Sequence, residues 1–462
     1  MESHLFEHFR FPEGFDGILH PALSHAHTGF FRIGPETVAF GRVAKAKTAG
    51  HAEQAHDDAL RYAAIENGEC RLPFSADELI NNLRLERYPG VGYAAGAGPL
   101  PRRIAEAVYY ALRPVLGVAV RKHLQRSVVR GTSGKQRFPA WPTDTTVEQI
   151  FDQLLLLAMR ARGVKRVPFI WFWPDGYSYA VLMTHDVEEA AGRDFVDTLM
   201  DLDESAGFKA AFEVIPERRY EVTDAWLNRI RERGFEINVH DLNHDGRLFS
   251  NYQEFLRRAK KINAYGREWG ARGFRSGVLY RNLRWFDALE FDYDMSLPTG
   301  AHFHPQSGGC CTVRPYFLGN LVELPGSAIQ DYILFHILGD YSTKIWEGQL
   351  ETIAAVHGLL CFSNHPDYLA EPRARAVYVA CLEKAAELRA KGDMWAPLPR
   401  DVAAWWRQRH AMRLVAEGDE WRIEGAGAER ARIAYAEDAG DGLRYQLAAP
   451  QPALAQVAAR KA

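Results

Sequence analysis

The sequence is short of cysteine, of charge imbalance and of long apolar runs, and each shortage closes off a class of protein. Its 462 residues include only 5 cysteines: Cys70, Cys310, Cys311, Cys361 and Cys381. An odd number without regular spacing is no disulfide framework, so reduced thiols and a cytoplasmic setting are expected. No CxxC accompanies the adjacent Cys310–Cys311 pair, which reads as buried structural thiols. The formal net charge is -3. No broad basic excess points to nucleic acid, and the locally basic stretch from Lys122 to Lys135 reads as a solvated face. The apolar stretch LLLLA at 154–158, flanked by Gln153, Arg160 and Arg162, is too short to span a bilayer. The opening MESHLFEHFRFPEGFDG has no basic stretch followed by an apolar run, so no secretory signal is expected. YPGVGYAAGAGPLP lacks the lysine and hydroxyl pattern of a phosphate-binding loop and reads as a connector. What remains is 47% hydrophobic and 25% charged, an ordinary globular composition. The length suits two or three domains, one of them a barrel of about 200–250 residues.

Residues 1–165 read as an N-terminal α+β domain. Short aromatic pieces, FRFPEGF and GFFRIGPETVAFG, are separated by turn formers and predict a small β-structure. LPFSADELINNLRLERY predicts a helix with Ser75 as N-cap and Glu78 completing a capping box. A second helix is expected from Arg103 to Leu112, ended by Pro114. A third should start at Thr145 or Thr146 and run through VEQIFDQLLLLAMRARG. The histidines of this region (His20, His25, His27, His51 and His56) lack ligand spacing and read as solvated or structural. From Val167 the texture changes. Two apolar runs flank a Pro-Asp-Gly turn, and strand-like and helix-like segments then alternate, with helices expected at LRWFDALE and WEGQLETIAAVHG among others. That alternation predicts a parallel α/β arrangement over 166–400, open or closed into a barrel, interrupted by an irregular insertion from Pro298 to Val322. Residues 401–462 begin with the aromatic patch VAAWWRQRH and read as a small C-terminal β-rich appendage with a frayed tail.

The ionisable residues gather at the expected strand ends, where α/β proteins place chemistry. VLMTHDVE ends in His185, Asp186 and Glu188. NVHDLNHDG supplies His240 and His244, whose four-residue spacing is expected to put both imidazoles on one side of a helical turn. Two histidines and one carboxylate would leave metal positions open for water and substrate. GFRSG adds Arg275, FDYDMSLP adds Asp292 and Asp294, and FSNHPDYL adds His365 and Asp367.

In this order THDVE, HDLNHDG, GFRSG, FDYDMSLP and SNHPDY resemble the five motifs of the polysaccharide deacetylase family, carbohydrate esterase family four, over about Pro168 to Leu398. The resemblance implies an α/β fold, a distorted (β/α) barrel. It implies Asp186 as general base, His240 and His244 as metal ligands, Arg275 orienting the base, Asp294 tuning the acid and His365 as general acid. Most members carry two adjacent aspartates in the first motif. Here Val187 takes the second place, so Glu188 is the third ligand expected; the rival assignment makes Asp186 the ligand. The usual Arg–x–Pro–Tyr reads Arg275, Ser276, Gly277, Val278. His185 is expected to be structural or to support the ligands. Arg314, in the insertion, is either a contact for an anionic sugar or nucleotide or part of a loop cover. The implied activity is metal-dependent removal of an N-acyl group, acetyl above all, from an amino sugar or sugar conjugate in exopolysaccharide or glycolipid assembly. Zinc is the expected metal, with cobalt, nickel or manganese as substitutes. The alternatives are an inactive barrel that binds carbohydrate or acts as a scaffold, and a metal-dependent hydrolase of a non-sugar amide.

Overall fold

The computed structural model describes residues 3–15, 17–92, 138–418 and 420–448. The helix expected from Arg103 to Leu112, the basic stretch from Lys122 to Lys135 and the C-terminal tail lie outside these residues.

Among the described residues the N-terminal region packs two short helices and two small sheets around α3. Helix α1 (His4–Phe9) is followed by β1 (Leu19–Pro21), the hairpin of β2 (His27–Ile33) and β3 (Thr37–Val43), and β4 (Ala64–Glu66) and β5 (Glu69–Leu72). Helix α2 (Ala76–Arg84) starts as expected, with the Ser75 hydroxyl accepting from Glu78 N at 3.3 Å. The box stays half made, because the Glu78 carboxylate instead takes Arg42 Nε and Nη2 at 2.9 and 2.7 Å. Helix α3 (Thr146–Arg162) buries Val147, Ile150, Phe151, Leu154, Leu155 and Ala158, an apolar stripe at helical spacing, and ends at left-handed Gly163. The five N-terminal histidines named above are all exposed.

The central region alternates as the sequence predicts. Strand β6 (Arg166–Ile170) leads through the Pro174–Gly176 turn to β7 (Tyr179–Val187), every residue of which is buried. Then come α4 (Ala190–Ser205), β8 (Ala210–Val214), α5 (Asp224–Glu232), β9 (Glu236–His240), α6 (Tyr252–Trp269), β10 (Gly273–Arg275) and β11 (Tyr293–Asp294). LRWFDALE forms only a short 3-10 helix, Leu283–Ala288, which buries just Phe286. After the hairpin of β12 (Tyr316–Leu318) and β13 (Leu321–Glu323) follow α7 (Lys344–Ala355), β14 (Leu359–Cys361), α8 (Pro366–Leu369), α9 (Pro372–Arg389) and β15 (Met394–Trp395).

The strands form one curled sheet in the order β12-β13-β11-β10-β9-β8-β7-β14, with β15 also on β7. All pairings are parallel except β12 with β13. Parallel neighbours need crossovers; α4, α5 and α6 supply them from β7 to β10, and short 3-10 turns and irregular chain supply them from β10 through β11 to β13. The sheet does not close strand to strand. The gap between β14 and β12 is bridged by irregular backbone, with Leu359 N donating to Val313 O at 2.7 Å and Ala328 N to Cys361 O at 3.2 Å. The chain is thus a mixed α/β protein with an incomplete barrel.

The C-terminal region departs from expectation at its start. VAAWWRQRH belongs to helix α10 (Pro399–Ala411), with Pro399 at its first turn and Val402, Trp405, Trp406 and Arg409 on its buried side. Two hairpins follow, β16 (Arg413–Glu417) with β17 (Glu420–Glu424) and β18 (Ile433–Asp438) with β19 (Leu443–Leu447). Strand β18 also pairs antiparallel with β6, Ala434 opposite Phe169. Hydrogen bonds therefore cross both expected region boundaries. One apolar core runs from Leu5 through α3, β6 and α10 to Ala436, and a second fills the space between barrel and outer helices. Inside the first core Arg409 donates to the carbonyls of His8, Ile170 and Trp171 at 2.7–2.9 Å. All five cysteines are buried and free. No helix among the described residues is long and apolar enough to cross a membrane.

Candidate metal centre and active site

Side chains alternate across a strand, and β7 uses this to sort its polar end. His185 points out of the barrel. Its Nε2 lies 2.9 Å from Asp203, whose other oxygen accepts from Tyr378 at 2.6 Å, a buried structural network as expected. Asp186 points inward. Both its oxygens are engaged: Arg275 Nη1 reaches Oδ1 at 2.5 Å and Ser363 Oγ donates to Oδ2 at 3.0 Å. Arg275 is itself fixed, with Nη2 on Thr184 Oγ1 at 2.9 Å and Nε on Met295 O at 3.2 Å. Burial raises the Asp186 pKa, but Arg275, His240 and His365 outweigh it and hold the group below the usual carboxylate range.

His240 closes β9. The expected helical turn does not form after it, because Asp241 (φ 55°) and His244 (φ 52°) both adopt the left-handed conformation. Short polar residues tolerate that region better than most, and the turn is tied down by Asp241 N to Arg275 O at 2.9 Å and Arg219 Nη2 to His244 O at 2.8 Å. The two rings meet nonetheless, their centroids 5.0 Å apart. Glu188 faces them, with Oε1 2.9 Å from His244 Nε2 and 3.5 Å from His240 Nε2. Burial raises the Glu188 pKa, and His244, His240 and His365 more than reverse this, holding it well below normal.

Three observations fit this trio to a divalent ion. One donor atom from each of Glu188, His240 and His244 lies within 4.8 Å of the others. His244 Nε2 is buried and forms no aligned hydrogen bond despite its 2.9 Å approach to the carboxylate, as when two donor atoms aim at a common point rather than at each other. His240 Nδ1 is 3.1 Å from Arg275 O, which sets the tautomer that leaves Nε2 free to ligate. The alternative trio of Asp186, Glu188 and His365 also lies within that range.

His365 completes the cluster from the opposite side. Its Nε2 is 3.4 Å from Glu188 Oε1 and 4.0 Å from Asp186 Oδ2. Its Nδ1 and backbone N both engage Asp331, each at 2.7 Å. Burial lowers its pKa, while Asp331 and Glu188 raise it further and leave it well above the ordinary imidazole value.

Asp331, which the sequence reading passed over, thus sits where Asp294 was expected. Asp294 lies on β11 beside Glu323 of β13 and accepts from Ser296 N and Oγ, both at 2.8 Å. Burial pushes up the pKa of both Asp294 and Glu323, and for Glu323 the neighbouring Asp294 adds to the rise. A signal for Asp331 was present: LVELPGSAIQD is another apolar strand running into a polar end. Asp292 is tied to Arg272 at the surface, and burial pushes Asp367 up to about 6. Of the two readings of Arg314 the structure fits the loop cover: the residue is buried in the N-terminal core, its Cζ 3.7 Å from the Phe172 ring centroid and its Nε donating to His357 O at 3.2 Å. Also missed was the polar barrel interior below the site. Asn238 Nδ2 donates to Glu213 Oε1 at 3.1 Å and lies 2.7 Å from the Tyr293 hydroxyl, which donates to Glu236 at 2.9 Å. Burial raises Glu213 to about 8 and Glu236 to about 7.

No protein-family model and no curated protein matches the sequence. Solved structures do. One from Mycobacterium smegmatis, assigned as a polysaccharide deacetylase, shares 19% identity over 54% of this chain and 98% of its own, with a TM-score of 0.44. An allantoinase shares 12% over 51% and 92% with a TM-score of 0.40. A family-four acetyl xylan esterase from Clostridium thermocellum, in complex with a cobalt ion, shares 15% over 49% and 91% with a TM-score of 0.32. Most of the structural neighbours named for this chain are thus polysaccharide deacetylases and family-four carbohydrate esterases, with the allantoinase beside them, over about half of its length.

Proposed function

We propose that the chain is a metal-dependent hydrolase that removes an N-acyl group, acetyl first, from an amino sugar or sugar conjugate, in the service of polysaccharide assembly. The observation that carries this reading is the convergence on one point of a Glu188–His240–His244 donor set, an ionised Asp186 and an imidazole backed by a carboxylate. Glu188, His240 and His244 would hold the ion, and a mixed nitrogen and oxygen donor set suits zinc, with cobalt, nickel or manganese as substitutes. Such an ion, when bound, supplies Lewis acidity toward an acyl oxygen and toward a water.

The chain's own groups do the rest. Asp186 Oδ2 takes the proton of the attacking water, and Arg275 on Oδ1 keeps the carboxylate ionised and aimed. Ser363 and Gln330 extend that support, Gln330 Nε2 donating to Ser363 Oγ at 3.0 Å. His365, charged through Asp331, delivers a proton from Nε2 to the departing amine. The two proton-handling atoms stand 4.0 Å apart, side by side, so that one reacting centre seated over them is within reach of both. Asp294 acts at a distance in this reading, filling the barrel interior with Glu323. Regions 1–165 and 401–462 serve as the support against which the barrel closes.

The test is His240→Ala. Stoichiometric metal and acetate release from N-acetyl sugars and their nucleotide conjugates should be lost together, in a protein with unchanged far-ultraviolet dichroism. A variant that keeps its metal refutes the ligand assignment. Activity restricted to cyclic amides would move the substrate away from sugars.

A further inference from the structure

The loop after β10 is held by a residue from outside the barrel. Its Gly277–Leu279 turn places Val278 (φ 60°, ψ 12°) and Leu279 (φ 52°) in the left-handed region. A β-branched residue there is a rare outlier, and such backbone persists only where its surroundings over-determine it. Here the surroundings converge on Arg281. Its Nη1 donates to Leu279 O at 2.9 Å, and its backbone exchanges two bonds with the Gln306 amide at 2.9 and 3.0 Å. Its remaining donors go to Glu86, with Nε on Oε2 at 2.7 Å and Nη2 on Oε1. Gly309 N adds a bond to the same carboxylate at 2.6 Å. Both side chains are out of solvent, at 0% and 4% exposure, so each leaves the other as an unpaired buried charge if removed. Glu86 is placed by the end of α2, where it takes the left-handed conformation and Arg87 N caps Asn82 O at 2.7 Å.

What the loop does is visible at Gly277. A Cβ there would stand 2.6 Å from Asp241 Oδ2 and 2.8 Å from His244 Cδ2. The backbone of this turn is therefore the wall against which the His244 ring rests. We propose that Glu86 is a positioning residue of the metal site: through Arg281 it fixes the Ser276–Arg281 loop, and through that loop the His244 ring. The N-terminal region thereby becomes part of the centre's architecture without touching substrate. This rests on the ligand set proposed above.

The experiment measures zinc affinity by chelator competition for the full-length wild type, Glu86→Gln, Arg281→Lys and Tyr88→Phe. It also records the ligand-field spectrum of each protein loaded with cobalt. Glu86→Gln should weaken zinc binding roughly 10–100-fold, the range for lost outer support of a ligand, and shift the cobalt bands. Arg281→Lys keeps the charge but not the fork; it should act in the same direction and serves if Glu86→Gln does not fold. Tyr88→Phe removes the adjacent 2.6 Å bond to Gly309 O without touching the loop, and should leave affinity and spectrum unchanged. A folded Glu86→Gln or Arg281→Lys with wild-type affinity and spectrum overturns the proposal while leaving the ligand set standing. A wild type that takes up no zinc overturns the ligand set and this inference together.

Discussion

Glu213 offers the sharpest test of the polar barrel interior. It lies on β8 opposite Asp186 of β7, fully buried, with Oε1 accepting from Asn238 and Oε2 without a hydrogen-bond partner. Burial raises its pKa from 4.5 to about 8, against the opposing pull of Arg275 and His240 and with a push from Asp186. Below the unfolded value both states carry the proton, and the full stability is present. Above it the unfolded chain ionises while the folded one does not, so stability falls as pH rises until the folded group ionises near pH 8. At up to about 1.4 kcal/mol per pH unit, wild type should lose about 2.5 kcal/mol through this group between about pH 5 and about pH 7. Glu213→Gln keeps the acceptor for Asn238 and cannot ionise. Urea denaturation of both proteins, in chelator, should therefore show the variant gaining about 2.5 kcal/mol on wild type over that interval. Glu236, Asp144 and Asp152 also have raised values, but they titrate in both proteins and cancel in the difference. A stability difference that stays constant with pH would refute a protonated Glu213.

Three further outcomes are expected. Asp331→Asn should lower kcat for acetate release roughly 10–100-fold with metal content unchanged, since the imidazole loses its charged partner but the metal donors are untouched; an unchanged kcat would remove Asp331 from the acid. Arg314→Met should cost about 1–3 kcal/mol in urea titrations by stranding the carbonyls of Val356 and His357, and leave KM alone; a raised KM would restore a substrate role. A thiol reagent should find no reactive cysteine in the native protein and all five after unfolding, because each is buried and burial raises Cys310 and Cys381 to about 12 and Cys361 to about 11.

Much of the centre was legible because strand ends advertise themselves. An apolar run that stops at His185, Asp186 and Glu188 must put alternate side chains on opposite sides, and β7 does so. What local pattern could not supply was which distant carboxylate reaches His365. Asp331 is 34 residues away in sequence and arrives through a segment with little regular structure, whereas Asp294, nearer in form to the expected motif, is taken up by Ser296. The His240–His244 spacing pointed to two rings that do meet, but not through the expected helical turn: two left-handed residues bring them together. Glu213 and Glu236 were invisible as interior groups, because an acid inside AAFEV or FEINV looks the same whether its strand faces water or a closed barrel. Helix α10 was missed because Trp405 and Trp406 favour strands locally, while the packing of α10 against β6 and α1 decides otherwise.

Arg409 gives the chain a temporal order. Its guanidinium supplies the donors for carbonyls of residues 8, 170 and 171, yet it follows the first of them by 401 residues. On the ribosome the first helix and the strand after α3 exist long before these partners do, and buried carbonyls without donors are costly. The first core can therefore be sealed only when α10 has emerged, some four hundred residues after the segment it completes. A chain stopped before that point would leave these three carbonyls without the Arg409 donors and part of the aromatic face of the first core open to water.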